Sequence, residues 1–279
     1  MKQLKSLANI IITGIPRSGT TLTCHLLNKL PNFIALHEPM KPRQYFELTV
    51  DSVVDKIGCF FSEQRESILR DKNAKSRSVA GVVPDNHIGN INKLTGKREN
   101  LVDGDIISID KPLTKNFSLA IKHPNMFTAL LHILSIHFNC FSIIRNPLSV
   151  LLSWNSVDMN VSDGHVPAAE AFDRNLFNKL SSEKNKYVRQ IIILDWCFTK
   201  YKENLNESQI LRYEKIIETG GKALAVICDA AKQLNEPLKS RNSSLLYDNS
   251  TKTVLAELLL DYNGCYFDFY DKRDFLKLV

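Results

Sequence analysis

Glycine is sparse in this chain, at 11 of 279 residues, tryptophan occurs only twice, and no apolar run approaches the length that crosses a membrane. The short apolar run in the opening MKQLKSLANIIITG falls below the apolar core of a secretory leader, so the expectation is a cytoplasmic chain without a transmembrane segment. The six cysteines stand at least 31 residues apart, which leaves no C-x-x-C pair for a metal or redox site and points to free thiols in a reducing compartment. A strong charge of one sign is missing too. Basic residues exceed acidic ones by 36 to 30, and the resulting +6 is dispersed, which suits an anionic ligand and gives no nucleic-acid stripe. The polar stretch 41–115 shows no internal repeat and no low-complexity tract.

What is present is an ordinary apolar fraction, 44%, enough for a substantial core in one domain spanning 1–279. Three short apolar runs, Asn9 to Thr13, Ser118 to Ile121 and Phe141 to Ile144, each end at polar residues and lead toward helix-like segments, as buried parallel strands do. Gln209 to Arg212 is a fourth such run, followed by a helical stretch from about Glu214 to Leu234, and Phe33 to Leu36 is a fifth. Alternating strands and helices imply an α/β fold of doubly wound or P-loop type, in three layers around a mainly parallel sheet.

Between residues 41 and 115 the chain turns polar. Gly89-Asn90, Thr95-Gly96 and Asp103-Gly104 read as turns, with Ile106, Ile107 and Ile109 around a hairpin. Such an insertion between core strands is a common place to recognise a second substrate. Thr251 to Leu260 reads as a late helix, and the aromatic tail Tyr262 to Tyr270 is expected to pack back on the domain. The run Ile191 to Asp195 has the look of a strand ending in a magnesium-binding aspartate. Tyr187, Ile191, Leu194, Phe198 and Tyr201, however, recur at helical spacing and favour an amphipathic helix.

The chemistry concentrates in Gly14-Ile15-Pro16-Arg17-Ser18-Gly19-Thr20-Thr21, directly after the Ile10–Ile12 run. Two glycines and a terminal hydroxyl stand at P-loop spacing, so backbone N–H groups converge on an anion and the helix starting near Thr20 adds its dipole. Where an ATP- or GTP-using loop carries lysine, this one has Thr20, and its cation comes earlier, as Arg17. A glycine turn that merely joins strand to helix is the plain alternative. A second cation, Arg145, ends the Phe141 run, with Pro147 suited to the first turn of the next helix and Ser153 eight residues beyond Arg145.

Together these residues resemble the sulfotransferases that use 3′-phosphoadenylyl sulfate (PAPS). Pro16 to Thr21 is similar to their 5′-phosphosulfate loop, and Arg145 with Ser153 to the pair that grips the 3′-phosphate. Lys122-His123-Pro124 resembles the Lys-x-Pro of tyrosylprotein and several bacterial members, and Arg212-Tyr213-Glu214 their late strand end. The likeness spans about residues 9 to 235. It implies a P-loop NTPase-like fold, PAPS as co-substrate, no required metal, and an acceptor hydroxyl on a glycan or small metabolite, recognised through the 41–115 insertion.

The resemblance also implies roles. Arg17, Ser18, Gly19, Thr20, Thr21, Arg145 and Ser153 would bind the donor. Glu38, 21 residues beyond Arg17, takes the position of the tyrosylprotein enzymes' base, His123 is the rival base, and His37 a third. Arg17 and Lys122 would stabilise the bridging oxygen. The Arg-Lys-Gly loop of cytosolic sulfotransferases is absent, and Lys239-Ser240-Arg241 is the nearest basic segment. A P-loop kinase or NTPase, and a nucleotide-binding module without catalysis, are the competing classes.

Overall fold

A computed structural model describes residues 9–92, 96–242 and 249–273. Five of its strands form one fully parallel sheet, in which the apolar runs end at the carboxyl edge. In chain order the strands are β1 (Asn9–Gly14), β2 (Phe33–His37), β3 (Asn73–Ser78), β4 (Ile88–Ile91), β5 (Arg98–Asn100), β6 (Gly104–Ser108), β7 (Ser118–Lys122), β8 (Asn139–Ile144) and β9 (Ile210–Arg212). The sheet runs β2-β7-β1-β8-β9, so each run expected as a strand takes its place in it. Because β1 lies at the centre, the loop leaving it opens at the point where successive connections diverge, the usual ligand position in open α/β sheets.

Helices flank the sheet: α1 (Thr20–Leu27), α2 (Val50–Asp71), α3 (Pro124–Ala129), α4 (Leu131–His137), α5 (Pro147–Asn155), α6 (Pro167–Phe172), α7 (Arg174–Ser182), α8 (Lys186–Asn204), α9 (Tyr213–Glu218) and α10 (Asn249–Tyr262). None of them is long and apolar enough to cross a membrane. The architecture is the three-layer α/β, P-loop NTPase-like arrangement expected from the sequence. Asp195 sits in α8 rather than on a strand, and its Oδ1 accepts from the Cys265 amide at 2.6 Å, anchoring the tail. The tail packs back as expected, with Tyr266, Phe269 and Tyr270 around the Phe198 ring.

Three expectations need correction. The polar insertion holds a 22-residue helix, α2, whose buried Val53, Ile57, Phe61 and Ile68 join the main core. Thr49 Oγ1 caps its start and Lys72, in the left-handed region at φ 55°, ends it. Fully burying Phe61, which stacks on Phe138, contributes about 2–3 kcal/mol. Second, Ile106 and Ile107 belong to β6, which pairs antiparallel with β3 instead of closing a local hairpin. Ile107 is buried beneath this ribbon, as is Ile109 just beyond its end, while Ile106 faces out. The local hairpin is β4–β5, so Gly89-Asn90 is strand, Gly96 lies in its connection, and Thr95 is outside the described residues. Third, the helix expected over 214–234 stops at Glu218. Gly220 and Gly221 at φ 58° and 96° break it, and two short 3-10 turns follow.

Candidate functional site

Strand pairing and loop strain together aim the candidate side chains into one cavity of about 1340 Å³ at the carboxyl edge of the sheet. The loop after β1 is tight for a steric reason. A Cβ on Gly14 would stand 2.5 Å from the Ile143 carbonyl, the oxygen that also accepts from the Ile15 amide and the Ser18 hydroxyl (2.7 Å). A Cβ on Gly19, which holds φ 94°, would stand 2.7 Å from the Tyr213 ring, and α1 starts immediately after it. Arg17 holds a left-handed φ of 71°, and Trp154 Nε1 donates to the Pro16 carbonyl beside it at 2.7 Å. The loop is therefore fixed from below by β8 and α5, and the first amides of α1 lack helical partners.

Arg145 leaves β8 where the β8–α5 turn is capped by Asn146, whose side chain accepts from the Ser149 amide. Its Nη1 donates to the Arg17 carbonyl at 3.0 Å, Nε to Asn242 Oδ1 at 2.8 Å, and Nη2 to the Arg241 carbonyl, while the guanidinium lies 4.8 Å from the Tyr213 ring centre. Three of its five donors are thus spent on neutral acceptors. Glu214, at the Arg-Tyr-Glu strand end, accepts from the Asn146 amide, Asn242 and Tyr270, which ties this corner together. Lys239 and Arg241 stand on the cavity wall beside it.

At the other end the adjacent strands β2 and β7 place Glu38 beside Lys122, because the Glu38 amide continues the ladder onto the Lys122 carbonyl at 2.9 Å. Lys122 Nζ donates to Glu38 Oε1 at 2.6 Å and Arg77 Nη1, from β3, to Oε2 at 3.0 Å. Lys122 is 1% exposed, so the pair is held out of water on one side. Burial pushes the Glu38 carboxyl up, but the Lys122 ammonium and the neighbouring histidines outweigh it and hold it well below the usual carboxylate range.

Histidines surround this pair. His123 Nε2 lies 3.2 Å from the Met40 carbonyl and Nδ1 is buried without a hydrogen-bond partner; burial lowers its pKa. His37 is fully buried with neither ring nitrogen hydrogen-bonded, its Nε2 lying 3.5 Å from Glu38 Oε1; burial, then Lys122, lower its pKa to about 4.

Of the residues singled out in the sequence, Arg17, Gly19, Thr20, Thr21, Glu38, Lys122, His123 and Arg145 line the same cavity. Ser18 and Ser153 are buried beneath it, and Ser153 reaches it through its hydroxyl, which accepts from Arg17 Nε at 3.4 Å. Sequence reasoning missed Asn86 and His87, whose side chains meet Arg17 and Thr21 across 69 and 66 residues. No local pattern marks them. It also missed Arg77, which the alternation along β3 places on the outward face with Lys75.

The arrangement favours an anion. Nine lysines and arginines stand on the cavity wall against three carboxylates, Glu38, Asp85 and Asp105, and Glu38 is already paired. No protein-family model matches the chain, and no curated protein does. Among solved structures, the sulfotransferase STF9 from Mycobacterium avium is similar to it at 13% identity and a TM-score of 0.39, over 95% of this chain and 77% of that one. A likeness that slight carries no weight for function, which rests on the geometry above.

Proposed function

We propose that the protein is a sulfotransferase that moves a sulfuryl group from PAPS to a hydroxyl of a carbohydrate or small-molecule acceptor. One observation carries the reading: a P-loop with Arg17 as its one cation and no P-loop lysine shares a cavity with Arg145 at one end and the Glu38–Lys122 pair at the other. The loop amides, Thr20, Thr21 and Arg17 suit the phosphosulfate, and Arg145 with the Lys239–Arg241 segment suits the 3′-phosphate. PAPS supplies the activated sulfuryl group.

Glu38 and Lys122 act as a linked pair in this reading. When the Glu38 carboxylate takes the acceptor's proton, its charge disappears and Lys122 loses its partner, so the ammonium is released as negative charge grows on the leaving oxygen. Arg17 serves the same oxygen from the loop side. His123 Nδ1, buried and unpaired, is the alternative base. The kinase and NTPase reading fits less well, because Asp195 is in α8 and occupied with the Cys265 amide, and Thr20 replaces the lysine.

The test is transfer of radiolabelled sulfate from PAPS to a panel of sugar, phenolic and alcoholic acceptors. Transfer by the wild type that falls about 10²–10³-fold in Glu38→Gln supports the reading. Absence of transfer to every acceptor contradicts it, and full activity in Glu38→Gln moves the base to His123.

A further inference from the structure

Arg17, Thr21 and His25 follow one another at intervals of four along the anion loop and α1, and all three meet one short segment of the insertion, residues 83–87. Arg17 Nη2 donates to Asn86 Oδ1 at 3.3 Å, Thr21 Oγ1 and His87 Nδ1 share a hydrogen bond of 3.2 Å, and His25 Nδ1 donates to the Val83 carbonyl at 3.1 Å. The chain is delivered there by a tight turn at Ala80-Gly81. Both residues have positive φ, 50° and 75°, Val79 and Val82 exchange backbone hydrogen bonds, and the Asp103 carboxylate accepts from the Ala80 amide. The segment is a strap laid along the helix that begins the anion site.

We propose that His87 is a positioning residue of the donor site, donating its Nδ1–H to Thr21 Oγ1 so that the Thr21 hydroxyl proton points at the phosphate or phosphosulfate anion on the loop. A hydroxyl has one proton and two lone pairs. If His87 took that proton, Thr21 would present only lone pairs to an anion. With His87 as donor, the two groups form a chain of donors ending on the anion, each strengthening the next. His87 is suited to this because it is 9% exposed, and burial together with Lys122 and Arg17 lowers its pKa to about 2. It stays neutral beside those cations and His37, near Glu38, and so carries the single ring proton that the proposal places on Nδ1.

The inference rests on the donor reading above, and a calorimetric cycle separates the two. Adenosine 3′,5′-bisphosphate and adenosine 3′-monophosphate, which lacks the 5′-phosphate, are titrated into wild type, His87→Ala, His87→Asn, Thr21→Val and the His87→Ala/Thr21→Val double variant. His87→Ala and Thr21→Val are each expected to weaken bisphosphate binding about tenfold, with the 3′-monophosphate unaffected and the double variant no worse than Thr21→Val alone. His87→Asn, whose side-chain amide donates from a similar position, is expected to recover most of the affinity. Equal losses for both nucleotides, losses that multiply in the double variant, or no loss in His87→Ala overturn the proposal. If the wild type prefers ATP with magnesium, the sulfuryl-donor reading falls, and the same cycle run on ATP decides for or against His87. Failure to bind any of these nucleotides overturns both.

Discussion

At the Arg145 end of the cavity a buried guanidinium is held by two backbone carbonyls and an asparagine, all neutral, whereas at the Glu38 end a carboxylate sits between Lys122 and Arg77. The first arrangement orients a positive charge without cancelling it, which keeps it available to an incoming anion. The second cancels one of two positive charges within the protein, so the buried Lys122–Glu38 pair is neutral by itself and the trio with Arg77 carries a net +1. In the proposed function the same sheet edge provides one end that binds the donor and one end that transfers the proton. Both follow from which strands are neighbours.

The contrast is broken most severely by removing Glu38. Glu38→Ala leaves the Lys122 ammonium buried without its carboxylate, and urea unfolding should show a loss of about 3–5 kcal/mol. The Glu38→Ala/Lys122→Met double variant should recover most of it, since two apolar groups leave no orphaned charge. At the opposite end, Arg145→Ala should weaken adenosine 3′,5′-bisphosphate about a hundredfold by calorimetry, equivalent to about 2.7 kcal/mol. Arg145→Lys should recover little, because an ammonium cannot reproduce three directed bonds.

Acid sharpens the difference further. His37 and His87 take up protons in the unfolded chain below about pH 6.5, while burial holds their native values near 4 and 2. The unfolded state therefore binds more protons, and stability falls as pH drops from about 6.5 toward 4, by up to about 2.7 kcal/mol per pH unit for the two together. Glu38 acts lower down: its depressed pKa contributes stability above the unfolded carboxyl value of 4.5, lost as pH falls through its native value. His37→Leu, which removes a fully buried ring with no hydrogen bond, should lessen the slope between pH 6 and 4.5 by about 1.4 kcal/mol per unit.

The central sheet was legible because its strands are short apolar runs ending at polar residues, and Gly14 to Thr21 was legible because backbone sterics demand glycine at fixed places. Lys122 and Arg145 could be placed at strand ends for the same reason. α2 was hidden despite Val53, Ile57, Phe61 and Ile68 on one face, since most of its surface is charged and Gly58 interrupts it. The break at Gly220-Gly221 was readable in principle from the paired glycines. Asn86, His87 and Arg77 were not, because their importance comes from tertiary contacts with Arg17, Thr21 and Glu38, and nothing in their own neighbourhood announces it.

The central claim, that the cation-rich end is built for a 3′-phosphorylated adenosine donor, is tested most directly by calorimetry of the wild-type protein with adenosine 3′,5′-bisphosphate against ATP plus magnesium. Tight bisphosphate binding that exceeds ATP binding and is lost in Arg145→Ala is the expected result. Preference for magnesium-ATP, or bisphosphate binding indifferent to Arg145, would contradict it.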